Sequence, residues 1–279
     1  MLWQTRRFRI ELSRPQVMGI VNVTPDSFSD GGCHANTSAA LAHCERLVKE
    51  GADLLDIGGE STRPGAQTPS EAEELARVLP VVRYAVTLGV PVSVDTSRAA
   101  VISAVLDAGA DIINDVRALQ CSGSLEVIAA HKGVGVCLMH MQGDPHSMQQ
   151  APHYDDVVGE VVQFLAQRLA AAMQAGVPEA CITLDPGYGF GKTAAHNLAL
   201  LQGQAALSGL GRPLLVGWSR KRTLGEITGR PVEDRLAASV AAALAAVSQG
   251  ARIVRVHDVA ATVDALKVWA AAGLIDNLG

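Results

Sequence analysis

Eight short apolar runs, each broken off by polar or glycine residues, set the limits on this fold. They are VMGIVN ending at Asn22, DLLDIGGEST ending at Thr62, VPVSVDT with Asp95, and DIINDV around Asn114. The others are VGVCLMH ending at His140, CITLDPG with Asp185, PLLVGWSRK ending at Lys221, and RIVRVHD with His257. The runs are continuous rather than alternating, the pattern of parallel strands covered on both faces. Helical patterns lie between them. SEAEELARVLPVVRYAV puts Leu75, Val78, Leu79, Val82 and Val86 on one face and opens with Ser70 and Glu73 at capping-box spacing. DDVVGEVVQFLAQRLAAAMQAG stops at Gly176, with Pro178 just beyond, and PVEDRLAASVAAALAAVSQG runs from Pro231 to Gly250.

Strand and helix alternate eight times, which predicts an α/β fold: a single-domain (β/α)8 barrel. The 279 residues suit it, since such a barrel needs about 250. The rival is a doubly wound open sheet. It is disfavoured because the first strand has no Gly-x-Gly-x-x-Gly turn after it. Residues 1–16 precede the first strand and are expected to form a short β-hairpin covering the barrel bottom. The barrel itself is expected over 17–279, because no linker or composition break divides that stretch.

Apolar residues make up 48% of the chain and charged residues 18%, which suits a soluble protein with a large core. The net charge of −5 supplies no basic field to recruit nucleic acid or a membrane surface. TRRFR near the start lacks a following apolar segment, so no signal peptide is read there. No apolar run reaches the roughly 18 residues of a membrane helix. The five cysteines, Cys33, Cys44, Cys121, Cys137 and Cys181, include no C-x-x-C pair and read as reduced thiols of a cytoplasmic protein. Cys137 and Cys181 sit in apolar runs and are expected to be buried.

CITLDPGYGFGKT ends like a nucleotide-binding loop, but its spacing is wrong. Counting back five from Gly191 lands on Pro186 where a Walker loop needs glycine. The glycines suit a sharp turn beside a flat ligand, with Asp185 pointing into the barrel mouth.

The polar residues gather at the C-terminal ends of the strands, and in a barrel those ends share the face that carries the active site. Asn22, Thr62, Asp95, Asn114, Asp185, Lys221, Arg255 and His257 are therefore expected to converge. Singly, each has a plain structural explanation: a helix cap, a solvated charge, a core histidine. Together they are more than caps require. No Cys/His cluster with metal-ligand spacing is present.

Taken in order, VMGIVNVTPDSFSDGG, GGESTRPGA, VSVDTS, IINDV, CLMHMQG, LDPGYGFGK, SRK and RVHD resemble the dihydropteroate synthases over nearly the whole chain. The resemblance implies a pterin-binding transferase of folate biosynthesis and the target of sulfonamides. It would join 6-hydroxymethyl-7,8-dihydropterin diphosphate to p-aminobenzoate and release pyrophosphate, as a homodimer using Mg2+. It assigns Asp95, Asn114, Met139, Asp185 and Lys221 to the pterin, and Asn22, Arg63, Arg255 and His257 to the diphosphate, with Asn22 also the Mg2+ ligand. Phe28, Thr62, Arg63, Pro64, Phe190 and Arg222 fall to p-aminobenzoate. Asp30, Arg63, Lys221, Arg255 and His257 fall to catalysis. The implied mechanism is dissociative: the bond to pyrophosphate breaks ahead of attack by an amine that is already neutral, so no strong general base is needed. Loops 24–36 and 61–69 are expected to order over the site.

The chain departs from the family at Arg222, where serine is usual near the p-aminobenzoate carboxylate. A backbone N–H at a helix start could still bind that carboxylate, while the guanidinium could add a contact or crowd the pocket. Two other readings stand beside the synthase. One is another pterin-binding barrel, such as a methyl-tetrahydrofolate methyltransferase with a corrinoid partner, which has no use for diphosphate-binding cations. The other is a non-enzymatic descendant, which is expected to lose some of the convergent groups.

Overall fold

The computed structural model describes residues 1–24, 32–60, 68–144 and 147–275, with the side chains of 32–36 left out. Two strands, β1 (Leu2–Gln4) and β2 (Arg9–Glu11), pair antiparallel as a hairpin. Eight parallel strands then close into a barrel in which β10 pairs with β3. They are β3 (Gln16–Asn22), β4 (Leu54–Gly58), β5 (Val92–Asp95), β6 (Ile112–Asp115), β7 (Gly135–Met139), β8 (Ile182–Asp185), β9 (Leu214–Val216) and β10 (Ala251–Val256).

Helices cover the outside: α1 (Gly32–Lys49), α2 (Glu71–Ala85), α3 (Ala99–Asp107), α4 (Ser124–Ala130), α5 (Val157–Gln174), α6 (Ala194–Gln202), α7 (Arg222–Thr228), α8 (Leu236–Ser248) and α9 (Val259–Ala271). The capping box at Ser70 and Glu73 forms, with each side chain bonded to the other residue's backbone N–H. The stripe on α2 is centred on Val78 and Val82, with Val81 and Ala85 also buried and Leu75, Leu79 and Val86 only partly so. The helix expected from Pro231 is interrupted. Residues Val232–Asp234 make a 3₁₀ turn, and α8 starts only at Leu236. Arg235 breaks the run, because its guanidinium turns back to the carbonyls of Arg230, Arg220 and Lys221. Helix α1 begins at Gly32, so the end of the predicted 24–36 loop is helical.

Two cores result. The larger lies between strands and helices and is built from residues such as Val21, Ile57, Val94, Ile113 and Leu184. The smaller fills the N-terminal end of the barrel, where Trp3, Ile10 and Leu12 of the hairpin region meet Met18, Leu54, Ile112, Cys137, Leu215 and Ile253. The hairpin thus plugs the barrel bottom. Trp3 Nε1 donates to the Cys181 carbonyl at 2.8 Å, and Arg7 grips Asp111 with Nε at 2.8 Å and Nη2 at 2.6 Å. Cys137 and Cys181 are both buried.

Candidate active site

Side chains alternate along a strand, so a residue two beyond a bottom-core residue points into the same interior. Leu54 leads to Asp56, Ile112 to Asn114, Cys137 to Met139, and Ile253 to Arg255. Pairing register then sets them side by side: Asp95 opposite Asn114, and Met139 opposite Asp185.

A charged network crosses the barrel at this level. Arg255 donates through Nε to Asp56 at 2.6 Å and through Nη2 to Asp95 at 3.0 Å. Asn114 Nδ2 donates to the same Asp56 oxygen at 3.2 Å. Burial works against the Arg255 charge, but Asp56 and Asp95 outweigh it and raise the guanidinium pKa. Burial raises Asp95 above the usual carboxylate range, with Arg255 pulling it back. Asp56 Oδ1 and Asn114 Oδ1 are buried without a hydrogen-bond partner. Unpaired buried acceptors are costly, and these two lie in the polar interior beneath the barrel mouth.

Asp185 is buried, its Oδ1 accepting the Gly187 N–H at 2.7 Å. Burial raises its pKa, with Lys221 as the leading counterweight. Lys221 lies beyond the end of β9, as the N-cap residue just before α7. Its ammonium donates to the Tyr188 carbonyl and sits 4.7 Å from the Phe190 ring centroid. Burial brings its pKa down to about 8, against the opposing pull of Asp185. The Ser219 hydroxyl accepts the His257 backbone N–H at 3.2 Å and lies 2.9 Å from His257 Nδ1.

Above these groups opens a cleft of about 790 Å³, whose walls include Asn22, Asp95, Phe190, Lys221, Arg255 and His257. The volume is that of a site for a small organic ligand. Glycine is required where the loop after β8 meets the one after β7. Gly187 has φ +68°, and a Cβ there would lie 1.8 Å from the His140 carbonyl oxygen.

The family described as pterin binding enzyme matches residues 18–257. The chain belongs to the pterin-binding enzyme family. It is 54% identical to the dihydropteroate synthase of Neisseria meningitidis serogroup B (strain ATCC BAA-335 / MC58), with 98% of each chain covered. Among solved structures it is similar to Xanthomonas albilineans dihydropteroate synthase with 4-aminobenzoic acid, at TM-score 0.90, 54% identity and 96% of each chain. It is likewise similar to that organism's enzyme in complex with 7,8-dihydropteroate, at TM-score 0.87 and 52% identity, covering 96% of this chain and 97% of the other.

Against the expectations for a pterin-binding enzyme, the barrel mouth brings together Asn22, Asp95, Asn114, Met139, Phe190, Asp185, Lys221, Arg255 and His257. Phe28, Asp30, Thr62, Arg63 and Pro64 lie outside the described residues. Arg222 is at the cleft, but its guanidinium is turned along α7 to Glu226, Nε to Oε1 2.6 Å, and is 81% exposed. Three residues were missed. Asp56 sits in mid-strand; a carboxylate inside an apolar parallel strand needs a buried partner, and that was the available signal. Lys192 was hidden by its likeness to a nucleotide-loop lysine. Arg98 is within ion-pair distance of Glu60 at 3.6 Å and donates to the Pro69 carbonyl at 2.6 Å, close to either end of the 61–67 segment.

Proposed function

We infer that this chain is a dihydropteroate synthase. It condenses 6-hydroxymethyl-7,8-dihydropterin diphosphate with p-aminobenzoate, giving 7,8-dihydropteroate and pyrophosphate. The observation that carries the reading is the set of groups at the barrel mouth. Carboxylates and an amide (Asp185, Asp95, Asn114) lie at the ends of strands β8, β5 and β6, and Arg255, bonded to Asp95, and His257 stand at the end of the strand that closes the barrel. The first set suits the amino and ring N–H edge of a pterin, which a carboxylate accepts in bidentate fashion. The second suits a diphosphate.

On this assignment Asp185 holds the pterin edge, with Asp95 and Asn114 beside it and Met139 packed under the ring. Lys221 leaves the Tyr188 carbonyl to donate to the pterin's acceptor atoms. Arg255 has Nε and Nη2 committed to Asp56 and Asp95, which leaves Nη1 for a phosphate oxygen. Arg63 and His257 supply further donors. Phe28, Thr62, Arg63, Pro64, Phe190 and the start of α7 at Arg222 form the p-aminobenzoate side, and Asp30 joins the catalytic set. The leaving group is stabilised by cations already in place, and the aromatic amine attacks as the pterinylmethyl cation develops. Catalysis is positioning and electrostatics rather than proton abstraction.

Mg2+ fits this donor set. Among the described residues no cluster of His, Cys, Asp or Glu could cage a metal. Asn22 offers one hard oxygen at the cleft wall, and Mg2+ is commonly held by few protein ligands plus substrate phosphates. When bound, it would neutralise charge on the departing pyrophosphate.

A homodimer is supported by exposed Ile227, Val232 and Leu236 around α7 and α8. No helix among the described residues is long and apolar enough to cross a membrane, and the reading places the enzyme in the cytoplasm. The test is pyrophosphate release with Mg2+. Release should require both the pterin diphosphate and p-aminobenzoate, with dihydropteroate formed in equal amount. Pterin binding without release would return the chain to the methyltransferase-like or non-enzymatic reading.

A further inference from the structure

The Gly191-Lys192-Thr193 stretch, excluded as a nucleotide loop, holds a lysine that no substrate assignment uses. Lys192 is only 3% exposed. Its ammonium donates to the Gly187 carbonyl at 2.9 Å and the Phe190 carbonyl at 3.2 Å, and lies 2.9 Å from His140 Nδ1. Burial pulls the Lys192 pKa well down, with Asp185 working to keep the charge; as an ammonium it has three donors and no acceptor, so three acceptors around one nitrogen use it completely. His140 Nδ1 then accepts, and the imidazole carries its proton on Nε2. Burial, helped by the Lys192 charge, brings the His140 pKa down to about 3 and keeps the ring a neutral acceptor.

We propose that Lys192 is a positioning residue that fixes the 187–191 loop and, through it, sets Phe190 on the p-aminobenzoate side of the cleft. The inference rests on the assignment of Phe190 given above. The loop is tied at nearly every backbone group. Gly189 N–H donates to Asn197 Oδ1 at 2.8 Å, and Gly189 O accepts from Gln149 Nε2 at 2.5 Å. Gly191 O accepts from the Tyr154 hydroxyl at 2.9 Å, and Phe190 N–H donates to Gly187 O at 3.1 Å. Among the described residues, Lys192 is the one side chain that binds two of the loop's carbonyls and also reaches the neighbouring strand end, at His140. Without it, Gly187 O keeps its bond from Phe190 N–H, and Gly187 N–H keeps Asp185. Phe190 O loses its donor. The disturbance should therefore fall on Phe190 far more than on the pterin-facing Asp185.

The test is steady-state kinetics on Lys192→Met, with each substrate varied in turn. KM for p-aminobenzoate should rise about tenfold or more, since small misplacements of a positioning group have large kinetic costs. KM for the pterin diphosphate should change by less than about threefold, the signature of a loss confined to one substrate's binding. A fall in melting temperature with both KM values unchanged would mean the lysine is only structural and would overturn the proposal. Phe190→Ala, measured alongside, separates the two claims. If it leaves KM for p-aminobenzoate unchanged, the assignment of Phe190 fails and takes the inference with it. If it raises that KM and Lys192→Met does not, the inference alone fails. Should Lys192→Met not fold, Lys192→Gln keeps two donors of the three, without the charge, and should give an intermediate KM; a wild-type KM there would overturn the proposal. Nitrogen-15 NMR of His140 gives a second readout. Its titration should move to higher pH in the variant, and an unmoved titration would overturn the contact.

Discussion

The two ends of this barrel are built from the same strands and have opposite characters. At the bottom, Trp3 of the hairpin is fully buried against Met18, Leu54, Ile112 and Leu215, and its indole N–H is bonded. Two residues further along the same strands stand Asp56, Asn114 and Arg255. There, Asp56 Oδ1 and Asn114 Oδ1 have no partner, and burial raises the pKa of Asp95 and Asp185. One end is closed and largely apolar; the other keeps charged groups at a cost. The difference teaches that stability and activity are separated along each strand by a single pleat rather than by domain.

Substitutions at each end can break this comparison. Asp185→Asn should lower kcat/KM by about a thousandfold, the scale seen when one preorganised electrostatic group is removed. Its melting temperature should hold or rise, because the buried ionised form that burial disfavours is gone. A clear loss of stability, measured by calorimetry, would show that the top also holds the fold together. Trp3→Ala should do the reverse, costing about 3–5 kcal/mol in denaturant unfolding with kcat/KM of the folded enzyme unchanged. A kinetic defect there would couple the plug to the site. The smallest effect concerns pH. Lys221 must be protonated to donate to the pterin, and its pKa is lowered to about 8. It loses its proton as pH rises through that value, so kcat/KM should fall above it, while uptake of a proton by Asp95, whose pKa burial raises, should bring a separate fall on the acid side. Since kcat/KM reports the free enzyme, Lys221→Arg should move the alkaline limb to higher pH.

The barrel was legible because eight continuous apolar runs with polar ends have few other solutions, and each run coincides with a strand. Strand-end polar residues were legible for the same reason, since topology alone carries them to one rim. Asp56 was not, because a residue in mid-strand reads as part of its apolar run until the partner on the far side of the closure is known. That partner, Arg255, is 199 residues away. Lys192 was obscured by local likeness to a different motif, and only its three acceptors reveal its place. The break at Arg235 escaped because its cause is a guanidinium folding back to carbonyls on another segment, whereas periodicity sees only the helix's own face.

The pairing of β10 with β3 also bears on the chain's synthesis. Domains fold as they emerge at roughly 5–20 residues per second, and Arg255 emerges 199 residues after Asp56. Until it does, Asp56 and Asp95 have no cation between them, and β3 and β9 each have an open edge. A premature stop before the last strand therefore yields no weakened enzyme. It yields a sheet with two bare templates for aggregation, one along β3 and one along β9.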